Sequence, residues 1–133
     1  FAQTPGAGAA GGLGFGLFAF LDARAEPGAE LFARYARLSQ RLREADLVIT
    51  GEGSIDKSTL MGKGVGEIAQ RCRRMNIPCL GLSGVLNDRA LLRRRFVAVH
   101  CLTPEVTTPD KAMRSPALWL RKLAARVATN WRE

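Results

Sequence analysis

The chain has 133 residues, 47% of them hydrophobic, and a formal net charge of +8. That is one domain's length with enough apolar content for a core, so global disorder is excluded. Its three cysteines, Cys72, Cys79 and Cys101, lack CxxC spacing and are odd in number, which excludes a zinc pattern and a disulfide framework.

The first residue is Phe rather than Met, and the chain reads as the carboxy-terminal piece of something longer. Residues 5–21 begin as a glycine-rich loop and run into an apolar helix expected to be core. The small apolar residues 7–21 are too few to span a bilayer and lack a basic n-region. Spacing of the GxGxxG kind occurs at Gly6-Ala7-Gly8-Ala9-Ala10-Gly11, so Gly8 and Gly11 could cradle a phosphate. No strand precedes them, and close packing of a buried helix explains the glycines equally well.

Glu26-Pro27-Gly28 is a break. Leu31, Phe32, Tyr35, Leu38 and Leu42 recur at helical intervals and predict a helix over 29–44. Residues 47–50 read as a buried strand and 65–75 as a second helix with Ile68, Ala69 and Cys72 inward. Asn76-Ile77-Pro78 turns into a strand over 79–83 that ends at Gly84. Asn87-Asp88 could cap a short helix through Arg94, and a third strand covers 96–102. In the last helix Leu120, Leu123, Ala124, Val127 and Trp131 predict one buried stripe, with Pro116 in its first turn and Ser115 as cap.

Strands alternating with helices imply right-handed crossovers, hence an α/β fold: a parallel Rossmann-like sheet with helices on both faces. Three strands make it incomplete, and further strands are expected from an amino-terminal portion. Residues 1–133 read as one piece of such a domain.

The most informative stretch is Thr50-Gly-Glu-Gly-Ser-Ile-Asp-Lys-Ser-Thr-Leu-Met-Gly-Lys63. In open α/β sheets ligands bind beyond the carboxyl ends of the strands, where these residues fall. Glu52 and Asp56 could converge on one Mg²⁺, or one could hold the metal while the other takes a proton from a hydroxyl. Ser58 and Thr59 could bond phosphate oxygens or a metal-bound water. Lys63 could neutralise a phosphate, and Gly51 and Gly53 would let backbone N–H groups approach the anion. Against this, Asp56 or Ser58 could simply cap the next helix, with Lys63 solvated. The GxxxxGK[ST] spacing of a P-loop fails, because Lys63 precedes Gly64.

Ser83-Gly84 ends the neighbouring strand on the same sheet edge. The single histidine, His100, falls inside a predicted strand, which argues against Ser-His catalysis, as does the missing GxSxG elbow.

These residues carry a resemblance. Pro5-Gly-Ala-Gly-Ala-Ala-Gly-Gly-Leu-Gly14, Asp46-Leu-Val-Ile-Thr-Gly-Glu-Gly-Ser-Ile-Asp56 with Gly62-Lys63, and Gly81-Leu-Ser-Gly84 resemble the carboxy-terminal part of type I glycerate kinases. The likeness is collinear and continues to Asp110-Lys-Ala-Met113 and the final helix. It implies phosphorylation of D-glycerate by ATP with Mg²⁺, in a two-domain α/β protein about three times this length; the cytoplasm is expected instead from the cysteines, which read as buried free thiols of a reducing compartment. It further implies Asp56 as base or metal ligand, Glu52 orienting metal or glycerate, and Lys63 with the Gly51 and Gly53 amides steadying anionic oxygens. Two positions depart from the family pattern: Ser58 stands where glutamine is usual, and Val65 where proline is usual. The missing amino-terminal part of the same protein would be a required partner.

The rival reading is a basic binding module for nucleic acid or an acidic partner, built on a kinase-derived scaffold. Arg71-Cys72-Arg73-Arg74 and Arg93-Arg94-Arg95 are its basis. No aromatic residue separates the arginines and no RNA- or DNA-motif spacing occurs, which argues against nucleic acid and leaves solvated helix faces as the plain alternative.

Overall fold

The computed structural model describes residues 1–61, 64–87, 92 and 94–131. The chain forms two compact units, Phe1–Ala36 and Arg37–Glu133.

The first unit holds α1 (Ala9–Leu21) and α2 (Gly28–Tyr35). Ala10, Gly11 and Gly12 have φ of 51°, 68° and 100°, so regular helix begins only after them. The close backbone approach expected of this glycine run is made by the chain itself. A Cβ on Gly14 would lie 2.1 Å from the Gly6 carbonyl oxygen. The expected burial of α1 is not realised: Phe18 is buried, whereas Leu13, Phe15, Leu17, Phe20 and Leu21 are exposed. A helix apolar on every side needs cover all round, and two helices within so short a unit cannot supply it. Arg34 holds the Glu26 carboxylate through both oxygens, and this hydrogen bonding keeps the Glu26 carboxyl below its ordinary range.

The helix predicted over 29–44 is two helices, because Arg37 adopts a left-handed φ of 49° between α2 and α3 (Leu38–Arg43).

In the second unit β1 (Val48–Ile55), β2 (Cys79–Leu86) and β3 (Ala98–Thr103) form a parallel sheet in the order β1-β2-β3. A 3₁₀ turn (Lys57–Met61) follows β1 and leads towards α4 (Gly64–Arg74), which returns the chain to β2. After β3 come α5 (Pro109–Arg114) and α6 (Pro116–Asn130). The sheet buries a separate core on each face. One gathers Leu42, Val65, Ala69, Cys72, Leu92 and Phe96 against Ile55 and Cys79. The other sets Ala112, Leu123 and Val127 of the last two helices against Leu80 and Leu102. Helices thus cover both faces, as the alternation of strands and helices required, and the fold is an open α/β arrangement.

Strands β1 and β2 are longer than their apolar runs predicted. β1 continues from Thr50 to Ile55 and β2 from Ser83 to Leu86, because pairing between the two strands overrides the poor strand propensity of glycine. The ladder skips Gly53 and Gly84 and resumes at Ser54 and Val85 in the same register. Side chains in a strand alternate faces, so Val48 and Ile55, seven apart, should oppose one another. Both instead pack on one core, as do Cys79 and Leu86 of the partner strand. The two strands therefore change face together at the glycine pair. A Cβ on Gly84 would sit 2.7 Å from the Gly53 carbonyl oxygen, so the crossing-over requires glycine there.

Just past the end of α4, Asn76 has a left-handed φ of 56° and makes the turn predicted with Ile77 and Pro78. Pro116 occupies the first turn of α6, but the Ser115 side chain makes no capping bond. The stripe on α6 is narrower than expected. Leu123 and Val127 are buried while Leu120, Ala124 and Trp131 are exposed, because the helix rests on the sheet along a single line. The short helix expected after Asn87-Asp88 falls largely outside the described residues. All three cysteines are buried free thiols. Burial pushes the Cys79 thiol up to about 12, with neighbouring Cys72 adding to the shift. Among the described residues no helix is long and apolar enough to cross a membrane.

Candidate active site

The carboxyl end of β1 is organised by one hydroxyl. Asp56 ends the strand and starts a tight turn: its Oδ1 accepts the Ser58 N–H at 2.7 Å and the Ser58 hydroxyl at 2.5 Å. Such an aspartate satisfies the donors that the first turn of a helix leaves open. The Ser54 hydroxyl donates to Asp56 Oδ2 at 3.4 Å. Three residues on, Thr59 is wholly buried, at 0% exposure. Its Oγ1 accepts the Asp56 N–H at 3.2 Å and donates its own proton to Glu52 Oε1. Glu52, inside β1, and Asp56, just past it, are therefore joined through Thr59, and both stay half-buried at the sheet's edge.

The capping role foreseen for Asp56 is thus present, and Ser58 is its partner. Thr59, placed by sequence among phosphate contacts, has its hydroxyl spent on Glu52 and the Asp56 amide. Gly51 lies flat against β2, where a Cβ would meet the Leu82 carbonyl oxygen at 2.3 Å. At Gly53, among the described residues, nothing stands within 4 Å of the Cβ position, so that side of the residue is open. Ser83 pairs with Glu52 in the sheet and is buried at 3% exposure. Its hydroxyl donates to the His100 carbonyl oxygen at 3.5 Å, not to the imidazole, so no Ser-His couple forms. Gly84 closes on Gly53 as described. Gly8 and Gly11 belong to the first unit, where Gly8 precedes α1 and Gly11 has a left-handed φ. Lys63 lies outside the described residues.

Glu105 went unnoticed in the sequence. It follows the cis Thr103–Pro104 bond at the carboxyl end of β3. Its carboxylate meets His100 Nδ1 at 3.1 Å and accepts the Cys101 N–H at 3.2 Å. Nearby, the Thr103 and Thr107 hydroxyl oxygens are buried without a partner among the described residues. An acidic residue directly after a strand's end was the available signal, masked by its ordinary loop context.

The donor set suits a hard divalent cation. Mg²⁺ is typically held by one or two carboxylates with substrate phosphates and water completing the shell, and Glu52 and Asp56 offer carboxylate oxygen alone. Glu52 Oε1 is fixed by the Thr59 hydroxyl. Among the described residues no group of three or more His, Cys, Asp or Glu side chains could form an all-protein metal cage.

Glu52 and Gly53 in the last residues of β1, and Asp56 just past it, lie at the carboxyl end of a parallel strand, the edge of an open α/β sheet where ligands bind. The family model described as the glycerate kinase family matches residues 1–132, and the chain belongs to that family. It is 38% identical over 129 residues to a glycerate kinase of Halalkalibacterium halodurans, covering 96% of this chain and 34% of that protein. Against the glycerate 2-kinase of Escherichia coli K12 it is 36% identical over 114 residues, covering 84% and 30%. A crystal structure of a protein provisionally named glycerate kinase 2, from Salmonella typhimurium LT2, superposes with a TM-score of 0.60 at 33% identity. That superposition covers 93% of this chain and 33% of the other. The chain spans about a third of the length of the curated relatives it matches.

Proposed function

We propose that this chain serves in transfer of a phosphoryl group from ATP to a hydroxyl of D-glycerate, with Glu52 and Asp56 as its working carboxylates. The observation that carries the reading is the Thr59 hydroxyl, which binds Glu52 and the Asp56 amide together. Phosphoryl transfer demands positioning and charge neutralisation more than covalent participation, and a fixed pair of carboxylates at a strand's end supplies the first. Glu52 would hold Mg²⁺, which when bound neutralises phosphate charge. Asp56, oriented by Ser58 and Ser54, accepts the proton of the glycerate hydroxyl as it attacks. The open side of Gly53 gives an anion a place to approach, and the ammonium of Lys63 adds positive charge. Support comes from family membership and from the relatives' names, with the carboxylate geometry consistent with both.

The test is Asp56→Asn in the polypeptide as its gene encodes it, assayed with D-glycerate, ATP and Mg²⁺. Loss of a positioned base costs about 10²–10⁴ in kcat. Stability should hardly change, since the asparagine Oδ1 still accepts from Ser58. Near-normal turnover would remove Asp56 from the chemistry.

A further inference from the structure

Two arginine clusters that are far apart in sequence meet in the fold, away from the carboxylates. Arg73 and Asn76, at the end of α4, line a pocket of about 510 Å³ together with Arg94, Arg95 and the apolar Ile77 and Val97. It lies where β2 and β3 begin, with Cys79 in its wall, whereas Glu52 and Asp56 stand at the far, carboxyl end of the sheet. Two of the three arginines, Arg73 and Arg95, are anchored on uncharged groups. Arg73 Nη1 donates to the Arg94 carbonyl oxygen at 2.7 Å and Arg95 Nη1 to Gln70 Oε1 at 3.3 Å. The one carboxylate of α4, Glu67, is already held by Arg71 at 3.0 Å. Among the described residues the pocket is thus lined by three arginines and by no acidic residue.

Like charges collected in one concavity repel each other, and an anion relieves them. Guanidinium groups favour phosphate because their planar N–H pairs match its oxygens two at a time. The volume is that of a small-molecule site rather than of an extended track. Among its described lining residues the one aromatic, Phe96, is buried at 4% exposure and cannot stack on a base, which single-stranded nucleic acid would require.

We propose that the pocket of Arg73, Arg94 and Arg95 at the amino-terminal edge of the sheet binds a compact polyphosphate group. This is a second anion site, separate from the carboxylate end of β1. The polyphosphate can be free or the tail of a nucleotide.

The test is calorimetric titration of the chain with sodium tripolyphosphate and, in parallel, with ATP, both without divalent metal. Arg94→Gln is the diagnostic variant, because Arg94 contributes only its carbonyl to the anchoring bonds. Arg121→Gln, an exposed arginine on α6, removes the same charge elsewhere. The expected result is saturable binding of one tripolyphosphate, weakened about tenfold by Arg94→Gln and left within about twofold by Arg121→Gln, as for loss of one charge-assisted contact. Equal affinity for ATP would assign the site to the polyphosphate alone, and tighter ATP binding to a nucleotide tail; either supports the proposal. Absence of saturable binding overturns it. So does equal weakening by both variants, which would mean net-charge attraction, or binding indifferent to Arg94→Gln, which would put the ligand elsewhere. An oligonucleotide that binds through Arg94 while tripolyphosphate does not would also refute it.

Discussion

Replacing Thr59 by valine keeps the side chain's shape and removes only its hydroxyl. In the folded chain that hydroxyl is sealed from solvent, donates to the Glu52 carboxylate and accepts the Asp56 N–H. A hydrogen bond to a charged group contributes about 1.5–3 kcal/mol. The lower end applies because Glu52 is half-buried and keeps some hydration. Stranding the Asp56 N–H adds about 1 kcal/mol, so Thr59→Val should cost about 2–3 kcal/mol. Thr59→Ser keeps both bonds and loses one methyl, worth about 1 kcal/mol. Urea unfolding followed by circular dichroism reads the difference: at a slope of about 2 kcal/mol per molar, the valine midpoint falls by about 1 M and the serine midpoint by about half that. A valine variant as stable as the serine variant would show that the hydroxyl does not couple Glu52 to Asp56, and would take the proposed mechanism's anchor with it.

Three further outcomes follow from the geometry. Gly51→Ala should lower stability by more than about 2 kcal/mol, because its methyl meets backbone rather than a movable side chain, whereas Gly53→Ala should stay under about 1 kcal/mol; thermal melts of the pair decide it. Leu123→Ala, in the core, should cost about 2–5 kcal/mol and Leu120→Ala, on the same helix, less than about 0.5, measured by denaturant titration. The raised Cys79 thiol makes stability fall as pH climbs from about 9 towards about 12, since the unfolded chain ionises there and the folded one does not. Cys79→Ala should flatten that part of the stability-pH curve, and an unchanged slope would count against the burial argument.

The alternation of apolar runs and helical intervals disclosed the parallel sheet and its two covered faces, because burial of Leu80, Ala69 and Leu123 leaves a periodic mark. The strand lengths were hidden. Glycine and serine at positions 51–54 carry no strand preference, and only the partner strand makes them extend. Position 37 was hidden too, since nothing in an arginine announces a left-handed backbone. At the site, residue types gave Glu52 and Asp56 as candidates, but the link through Thr59 depends on the 3₁₀ turn that folds position 59 back on position 52. Glu105 and the meeting of Arg73 with Arg94 are long-range facts, legible only once the strands are laid side by side. The exposed apolar side chains of α1 reversed the expectation of a core, because hydrophobic character says what wants cover and not whether cover exists.

The change of face at Gly53 and Gly84 makes residue count matter in this stretch as much as residue identity. Dropping a single amino acid from β1 beyond Glu52, with β2 untouched, would swing Ile55 out of its core and rotate the turn that bears Asp56. The two strands must lengthen or shorten in step, or not at all. Loop grafts and deletions in this protein therefore belong outside 51–56 and 82–86, where the spacing between acid and sheet is not at stake.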